Sequence, residues 1–285
     1  MHDEYYRFLN SQPPWVEHCF FFAILQLFEY AALMKMSTDP MFSIAMAKGP
    51  DDIRAAQALR YKVFVQELGA RGDFADHDNQ LEADHFDAFC DHMLLIDNSR
   101  DCVAGVYRLL TDQRAQDAGG YYSETEFDVS MLKSSGRRLL ELGRSCLAPE
   151  YRGGAAMYVL WHALNAYISE HKIDLLFGVA SFHGTDTAAL AAPLSLLHHR
   201  HLAPEDLRPV AHGPMAAKME LLPEKRLDRR AAMIQIPALI KAYLRLGGVV
   251  GQGAWIDTTF NTTDVCLVLD TNQITPRQRQ IYSSS

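Results

Sequence analysis

The sequence predicts an α/β fold, a mixed sheet flanked by helices, and three observations carry that expectation. Leu139–Leu147 is a strand-like run broken by Gly143. Gly153–Glu170 follows as an apolar helical stretch. Leu175–Ser181 is a short continuous apolar run of the kind that lies buried inside a sheet. Together they form a strand–helix–strand unit. No repeat, low-complexity tract or Pro/Gly/Ser-rich linker divides the chain, so one domain over residues 41–285 is expected after an apolar extension over 1–40.

The other elements follow from local chemistry. Pro50–Glu67 opens with Asp51 and Asp52, which suit a helix N-terminus, and repeats Ile53, Ala56, Leu59 and Val63 at helical spacing. Gly69–Gln80, with two glycines and three aspartates, reads as a loop. His92–Asp97 and Cys102–Leu110 read as strands joined by the turn Asp97–Asp101, hence a hairpin. Gln113–Glu126 is polar and contains glycine, and is expected to be a long surface loop. The helix over 153–170 is apolar nearly all round, which predicts that it is largely buried. A second helix is expected over Ile236–Leu246, stopped by Gly247 and Gly248. Late strands are expected at Ala254–Asp257 and Val265–Leu269.

Composition bounds the function. The 285 residues are 48% hydrophobic and 22% charged, enough for one well-buried core. A net charge of −8 argues against a general nucleic-acid binder. Five widely spaced cysteines without a Cys-x-x-Cys pair argue against a disulfide framework or a zinc site and fit a reducing cytoplasm. The apolar run Cys19–Phe28 is too short to span about 30 Å of hydrocarbon. Asp3 and Glu4 beside Arg7 make a poor signal-peptide leader.

Several residues are candidates for chemistry on their own merits. Glu141 lies among Leu139, Leu140 and Leu142, so it is expected to be half-buried, and Gly143 inside a strand often marks a bulge. Asp84 and Asp87 precede a strand, with Arg60 and Arg108 as their natural counter-charges; a catalytic cluster and a structural ion-pair network both fit. Ser181, Thr185 and Asp186 follow a buried strand at its carboxyl end, where ligands of α/β folds gather, although these residue types also favour turns. Asn261–Asp264 invites the same two readings. Gly153 and Gly154 open a helix, where free N–H groups can hold a phosphate. His198, His199 and His201 read as a local basic patch with Arg200 and Arg208 rather than a metal site, and Lys225–Arg226 with Arg229–Arg230 form a second basic run. No Gly-x-Ser-x-Gly elbow supports a serine hydrolase.

Glu141–Cys146 followed by Tyr151–Ala156 resembles the pantetheine-binding core of the GNAT superfamily of N-acyltransferases. Leu59–Val65, Glu82–Asp87, Val106–Leu110 and Glu141 with Arg144 fall in the order seen in acyl-homoserine lactone synthases. Glu141–Cys146, Phe177–Asp186, Leu239–Gly247 and Phe260–Val265 together resemble more closely the haemolysin-like branch, the L-ornithine Nα-acyltransferases of ornithine-lipid synthesis. The resemblance covers roughly residues 50–270.

It implies a GNAT-like sheet, with a bulge near Gly143 that frees backbone N–H groups for the donor. It further implies a site of Glu141, Arg144, Asp84 and Asp87, with Arg60, Phe64 and Arg108 near the acceptor. Gly143, Ser145, Cys146, Arg152, Gly153 and Gly154 would then hold the donor. The implied partners are acyl carrier protein, whose acyl-phosphopantetheine is the donor substrate, and an amino acid, L-ornithine; no permanent cofactor is implied. Ala155 stands where the GNAT pattern has its central glycine, a departure that fits a carrier-protein donor lacking a pyrophosphate. Residues 1–40 are read either as an interfacial helix at the inner-membrane face or as an extension upstream of the family's usual start near Met41, and the matching pattern favours the extension. One alternative is an acyl-homoserine lactone synthase or a synthase for another N-acyl amino acid, and the second is a membrane-active haemolysin-like protein. The second would leave Glu141 and the acidic pair without a role.

Overall fold

The computed structural model describes residues 41–275; the apolar run at Cys19–Phe28, and the expectation attached to residues 1–40, lie outside the described residues. Alternation of apolar side chains along each strand builds a sheet buried on both faces. Its main strands are β1 (Phe42–Met46), β2 (Asp91–Asp97), β3 (Cys102–Thr111), β4 (Leu139–Leu147), β5 (Leu175–His183), β6 (Ala254–Asp257) and β7 (Thr262–Asp270). They lie in the order β1-β2-β3-β4-β5-β7-β6, with Ala216–Ala217 on the edge beyond β6 and Val249–Val250 also paired to β7. Only β4 and β5 are parallel; the other neighbours run antiparallel.

The helices are α1 (Pro50–Arg60), α2 (Ala155–His171), α3 (Ala191–His201), α4 (Arg229–Gln235) and α5 (Ala238–Arg245). Pro50 and the acidic pair Asp51 and Asp52 start α1 as the sequence predicts. Beyond Arg60 the chain widens into a π-helical turn, Tyr61–Glu67. One sheet face, with Leu140, Leu142, Leu176, Ala180, Val265 and Leu267, packs under α1, α2, α3 and α5. The other, with Leu110, Leu139, Phe177 and Val268, packs against Ala115, Tyr121, Phe127 and Leu132.

That second layer corrects one expectation. Gln113–Glu126 is not a surface loop: Asp112–Asp117 is helical, Tyr122–Thr125 forms a 3₁₀ turn, and Tyr121, Ser123 and Glu126 are buried. Helix α2 is also less buried than its composition suggests. Leu160, Trp161, Leu164 and Tyr167 pack inward, whereas His162, Ala166 and Ser169 meet solvent, because the helix covers one sheet face from outside. The helix expected over Ile236–Leu246 is α5, which starts two residues later, and α4 before it is an additional helix. Pro237 has no N–H and keeps Ile236 extended, so α4 ends at Gln235 and α5 begins at Ala238. Strand β1 and helix α3 were not anticipated.

Strands β4 and β5 share a ladder only from Leu139↔Leu175 to Glu141↔Phe177. Just beyond it, Gly178 sits so close to β4 that an added Cβ would lie 2.2 Å from the Leu142 carbonyl oxygen. Gly178→Ala is therefore expected to force the strands apart and lower stability by about 1–3 kcal/mol, as overpacking of a core does. A urea melt checks this. An unchanged midpoint would show that the strands separate there without penalty.

Candidate active site

The backbone of β4 changes course at Arg144, which adopts a left-handed conformation (φ +50°). Opposite it, the register with β3 passes from Val106↔Cys146 to Arg108↔Gly143, so Arg144 and Ser145 together face Tyr107. This is a β-bulge, one residue later than the sequence suggests. It turns β4 away from β5. A cavity of about 240 Å³ opens between them, lined on one side by Leu142–Ser145 and on the other by Gly178–Ser181. Phe64 from the π-turn, Tyr243 from α5, and Tyr122, Arg108, Glu141, Phe260 and Asp264 complete the wall.

A closed ionic network stands behind that wall. Arg60 (1% exposed) bonds Glu82 through Nε and the Asp87 carboxylate through Nη1 and Nη2, both at 2.8 Å. Arg108 Nη1 donates to Asp84 (2.6 Å) and Asp87 (3.0 Å). Arg144 donates to Glu82 (2.9 Å) and Asp84 (3.1 Å), and its guanidinium lies 4.6 Å from the Tyr122 ring centroid and 4.9 Å from that of Phe260. Although burial alone would raise the Asp87 carboxyl, the hydrogen bonds and charges of Arg60 and Arg108 hold it well below the usual carboxylate range.

Glu141 is almost fully buried, on the sheet face covered by the 3₁₀ turn. Its Oε1 accepts from the backbone N–H of Ser123 (2.6 Å), and Oε2 from that of Tyr122 (3.0 Å). Loss of water raises its pKa, against these hydrogen bonds and the Arg108 charge. A raised pKa suits a group that must take up a proton near neutral pH.

A second acidic cluster lies across the cavity. Oxygens of Glu126, Asp257 and Asp264 approach within 4.8 Å of one another, and all three residues are buried. Asp257 Oδ1 accepts the N–H groups of Thr259 and Phe260. Burial, helped by like charges, pushes Glu126 up to about 9 against Arg144 and Tyr122; burial also pushes Asp264 up to about 6, against Ser181, Thr262 and Arg144, with Asp257 adding to the rise.

The expected site residues divide cleanly. Phe64, Arg108, Glu141, Gly143, Arg144, Ser145 and Ser181 line the cavity. Arg60, Asp84 and Asp87 support it through the network. Thr185 and Asp186 lie off the cavity wall; Asp186 is exposed and accepts from Ala188 N (2.9 Å), a turn contact. Cys146 also lies off the wall, in the core beneath β4, where burial pushes its thiol up to about 12. Arg152, Gly153 and Gly154 stand apart from the cavity, at the start of α2. There Arg152 grips Glu67 at 2.5 and 2.7 Å and the Leu147 carbonyl.

Sequence reasoning missed the roles of Glu82, Tyr122, Glu126 and Asp257. Glu82 stood inside a motif already singled out; Tyr122 and Glu126 were hidden in a run without periodicity. At His198 and His199 the fold brings in Glu220, 3.7 Å from His198, which sequence spacing does not reveal, while His199 contacts the Leu222 carbonyl.

Fold and site define an acyltransferase of the GNAT class. The chain matches the acetyltransferase (GNAT) domain family over residues 59–162. A solved N-acyl amino acid synthase from uncultured soil microbes shares the fold, with a TM-score of 0.50 at 12% identity, over 85% of this chain and 98% of that one. An L-ornithine N(alpha)-acyltransferase of Rhodobacter capsulatus is 53% identical, with 87% of this chain and 97% of that protein covered. Its namesake from Brucella abortus is 42% identical over 85% of this chain and 88% of its own. The chain belongs to the L-ornithine N(alpha)-acyltransferase family. Among the described residues no helix is long and apolar enough to cross a membrane.

The second cluster has a measurable consequence. Glu126 and Asp264 both have folded pKa values above the ordinary 4.5 and 3.8, so the folded state holds protons that the unfolded chain has released. That contribution to stability is fully present below the unfolded values of 3.8 and 4.5 and is lost as pH rises from there to about 6 for Asp264 and about 9 for Glu126. The melting temperature is expected to fall across that interval, and Glu126→Gln, which keeps the group neutral, to flatten the fall. Identical profiles for the two proteins would contradict the raised Glu126 pKa.

Proposed function

We propose that this acyltransferase moves a 3-hydroxyacyl group from the phosphopantetheine thioester of acyl carrier protein to the α-amine of L-ornithine, giving lyso-ornithine lipid at the cytoplasmic face of the membrane. The observation that carries the reading is the opening between β4 and β5, whose unladdered backbone borders a cavity holding a buried carboxylate, Glu141. A pantetheine arm can enter such an opening as an added strand, through main-chain hydrogen bonds.

The chemistry then needs little from side chains. The α-amine lone pair attacks the thioester carbonyl carbon, the C–N bond forms, and the C–S bond breaks as the tetrahedral intermediate collapses. Before that attack Glu141, directly or through a water, takes one ammonium proton and passes it to solvent; as the C–S bond breaks, a second proton leaves the nitrogen and ends on the departing sulfur. The backbone N–H groups at Gly143–Ser145 are the candidate donors to the developing oxyanion. The Arg60–Asp87–Arg108–Asp84–Arg144 network holds the bulge and aims those donors; its carboxylates are already engaged and are not free to take a substrate amine.

Two features support a protein-borne donor. Arg152, at the place where a GNAT loop grips a pyrophosphate, is held by Glu67. The two basic runs converge on one surface, where Arg200 and Arg229 both approach Glu224, at 2.5 and 3.6 Å. That surface suits electrostatic docking of an acidic carrier protein.

Glu141→Gln is expected to lower turnover by roughly 10²-fold or more, the usual order for loss of a general base. Turnover within a few-fold of wild type in the folded variant would remove Glu141 from that role. Transfer from acyl carrier protein is also expected to fall steeply with salt, because exposed charges are screened beyond about 8–10 Å at physiological ionic strength, while transfer from acyl coenzyme A changes little. Steady-state rates with both donors across a salt series decide this; matching profiles would mean that the donor does not dock through charge.

A further inference from the structure

We propose that Glu126, Asp257 and Asp264 form the binding site for the non-reacting side-chain ammonium of a diamino-acid acceptor. The inference rests on the amino-acid acceptor reading above and adds the part of the site that selects the substrate.

Three carboxylates gathered in a protein interior are unfavourable unless something positive joins them. Here their oxygens lie within 4.8 Å of one another, on residues only 1%, 5% and 3% exposed. Oε2 of Glu126 and Oδ1 of Asp264 have no hydrogen-bond partner among the described residues, so the cluster is not a self-satisfied network. Arg144 lies close enough to act on Glu126 and Asp264 electrostatically, but its Nε and Nη2 donate to Glu82 and Asp84. Asp257 and Asp264 form part of the same cavity wall as Glu141 and Gly143. Asp264, which carries one of the two unsatisfied acceptors, lines the reaction cavity, and the Glu126 carboxylate lies within 4.8 Å of it; together they call for a cationic donor delivered with the substrate.

A primary ammonium fits this set. It has three N–H donors, and the triad has three carboxylates. Phe260 beside Asp257 and Tyr122 beside Glu126 add aromatic surface near the charge. The triad cannot serve the reacting amine: carboxylates around an ammonium hold its proton on, and the attacking nitrogen must lose that proton. The ammonium held here is therefore the one that does not react. Its arrival expels the proton that burial and crowding keep on Glu126 near neutral pH.

The test compares L-ornithine with L-2-aminopentanoate, the same skeleton without the side-chain amine, in wild type, Glu126→Gln and Asp264→Asn. The wild-type enzyme is expected to prefer ornithine, since a site built to bond a polar group rejects an analogue lacking it by up to about 10⁴–10⁵-fold. In each variant the ratio of kcat/KM for the two acceptors is expected to fall by roughly 10²-fold or more. Titration calorimetry of wild type with ornithine and no donor, in buffers of different ionisation enthalpy, is expected to show proton release near neutral pH, reduced in Glu126→Gln. A ratio that stays within a few-fold of wild type in both folded variants overturns the inference. So does recovery of a dialysed, chelator-treated enzyme only on adding a divalent cation, which would make the triad a metal site. Failure of wild type to acylate any amino acid would instead overturn the proposed function.

Discussion

The left-handed bulge at Arg144 is the constraint on which the site depends. A non-glycine residue in that conformation is strained by about 1–3 kcal/mol and persists only where its surroundings over-determine it. Here they do so three times over: Nε is fixed by Glu82, Nη2 by Asp84, and the guanidinium plane lies against Tyr122 and Phe260. If Arg144 relaxed into regular strand geometry, β4 could continue its ladder with β5 beyond Glu141, and the cavity would close.

The network that anchors Arg144 is close to self-contained. Arg60, Arg108 and Arg144 are matched by Glu82, Asp84 and Asp87, and each arginine contacts two of the three acids. Buried ion pairs of this kind add little net stability, because desolvation offsets attraction, yet removing one partner costs about 3–5 kcal/mol. Their value is geometric. Helix α1, the Leu81–Glu82 ladder, the turn after Asp84, β3 and β4 all contribute charges, so one cluster fixes the relative placement of five segments around the cavity. The acids that remain outside it, Glu141 and the Glu126–Asp257–Asp264 group, are the ones with capacity left for a substrate.

The parts of this arrangement legible in sequence are those written in local pattern. The strand–helix–strand unit, the hairpin over 92–110 and the late strands follow from apolar runs and turn residues. Glu141 stood out because a charge inside an apolar strand needs an explanation, Arg108 as a counter-charge to the acidic pair, and Arg144 through the family resemblance. The rest depends on contacts distant in sequence. Tyr122 and Ser123 meet Glu141 only because residues 112–132 fold across the second sheet face, and a polar glycine-containing run gives no sign of that. The acidic triad joins Glu126 to Asp257 and Asp264, more than 125 residues later in the chain. Two aspartates in runs that form turns as readily as sites, Asp186 and Asp264, looked alike in sequence; burial separates them, since Asp186 is exposed and Asp264 is not.

The two acidic regions make opposite demands on a proton, and that difference gives the cavity its direction. A diamino acid enters with two ammonium groups, the side-chain one the more basic, and transfer to one nitrogen requires that the other stay inert. Three crowded carboxylates stabilise a positive charge among them, so an ammonium held there keeps its proton and cannot attack. Glu141 is alone, two backbone N–H groups and Arg108 oppose its charge only in part, and burial raises its proton affinity. An ammonium beside it has a single acceptor for one proton and no cage to hold the charge that remains. Placing one nitrogen in the triad thus selects the other for reaction, by electrostatics rather than by shape alone. Both regions hold protons more tightly than free carboxylates do, so what separates them is the number of acids around the charge, three against one. Here the same separation would also assign which amine becomes the amide.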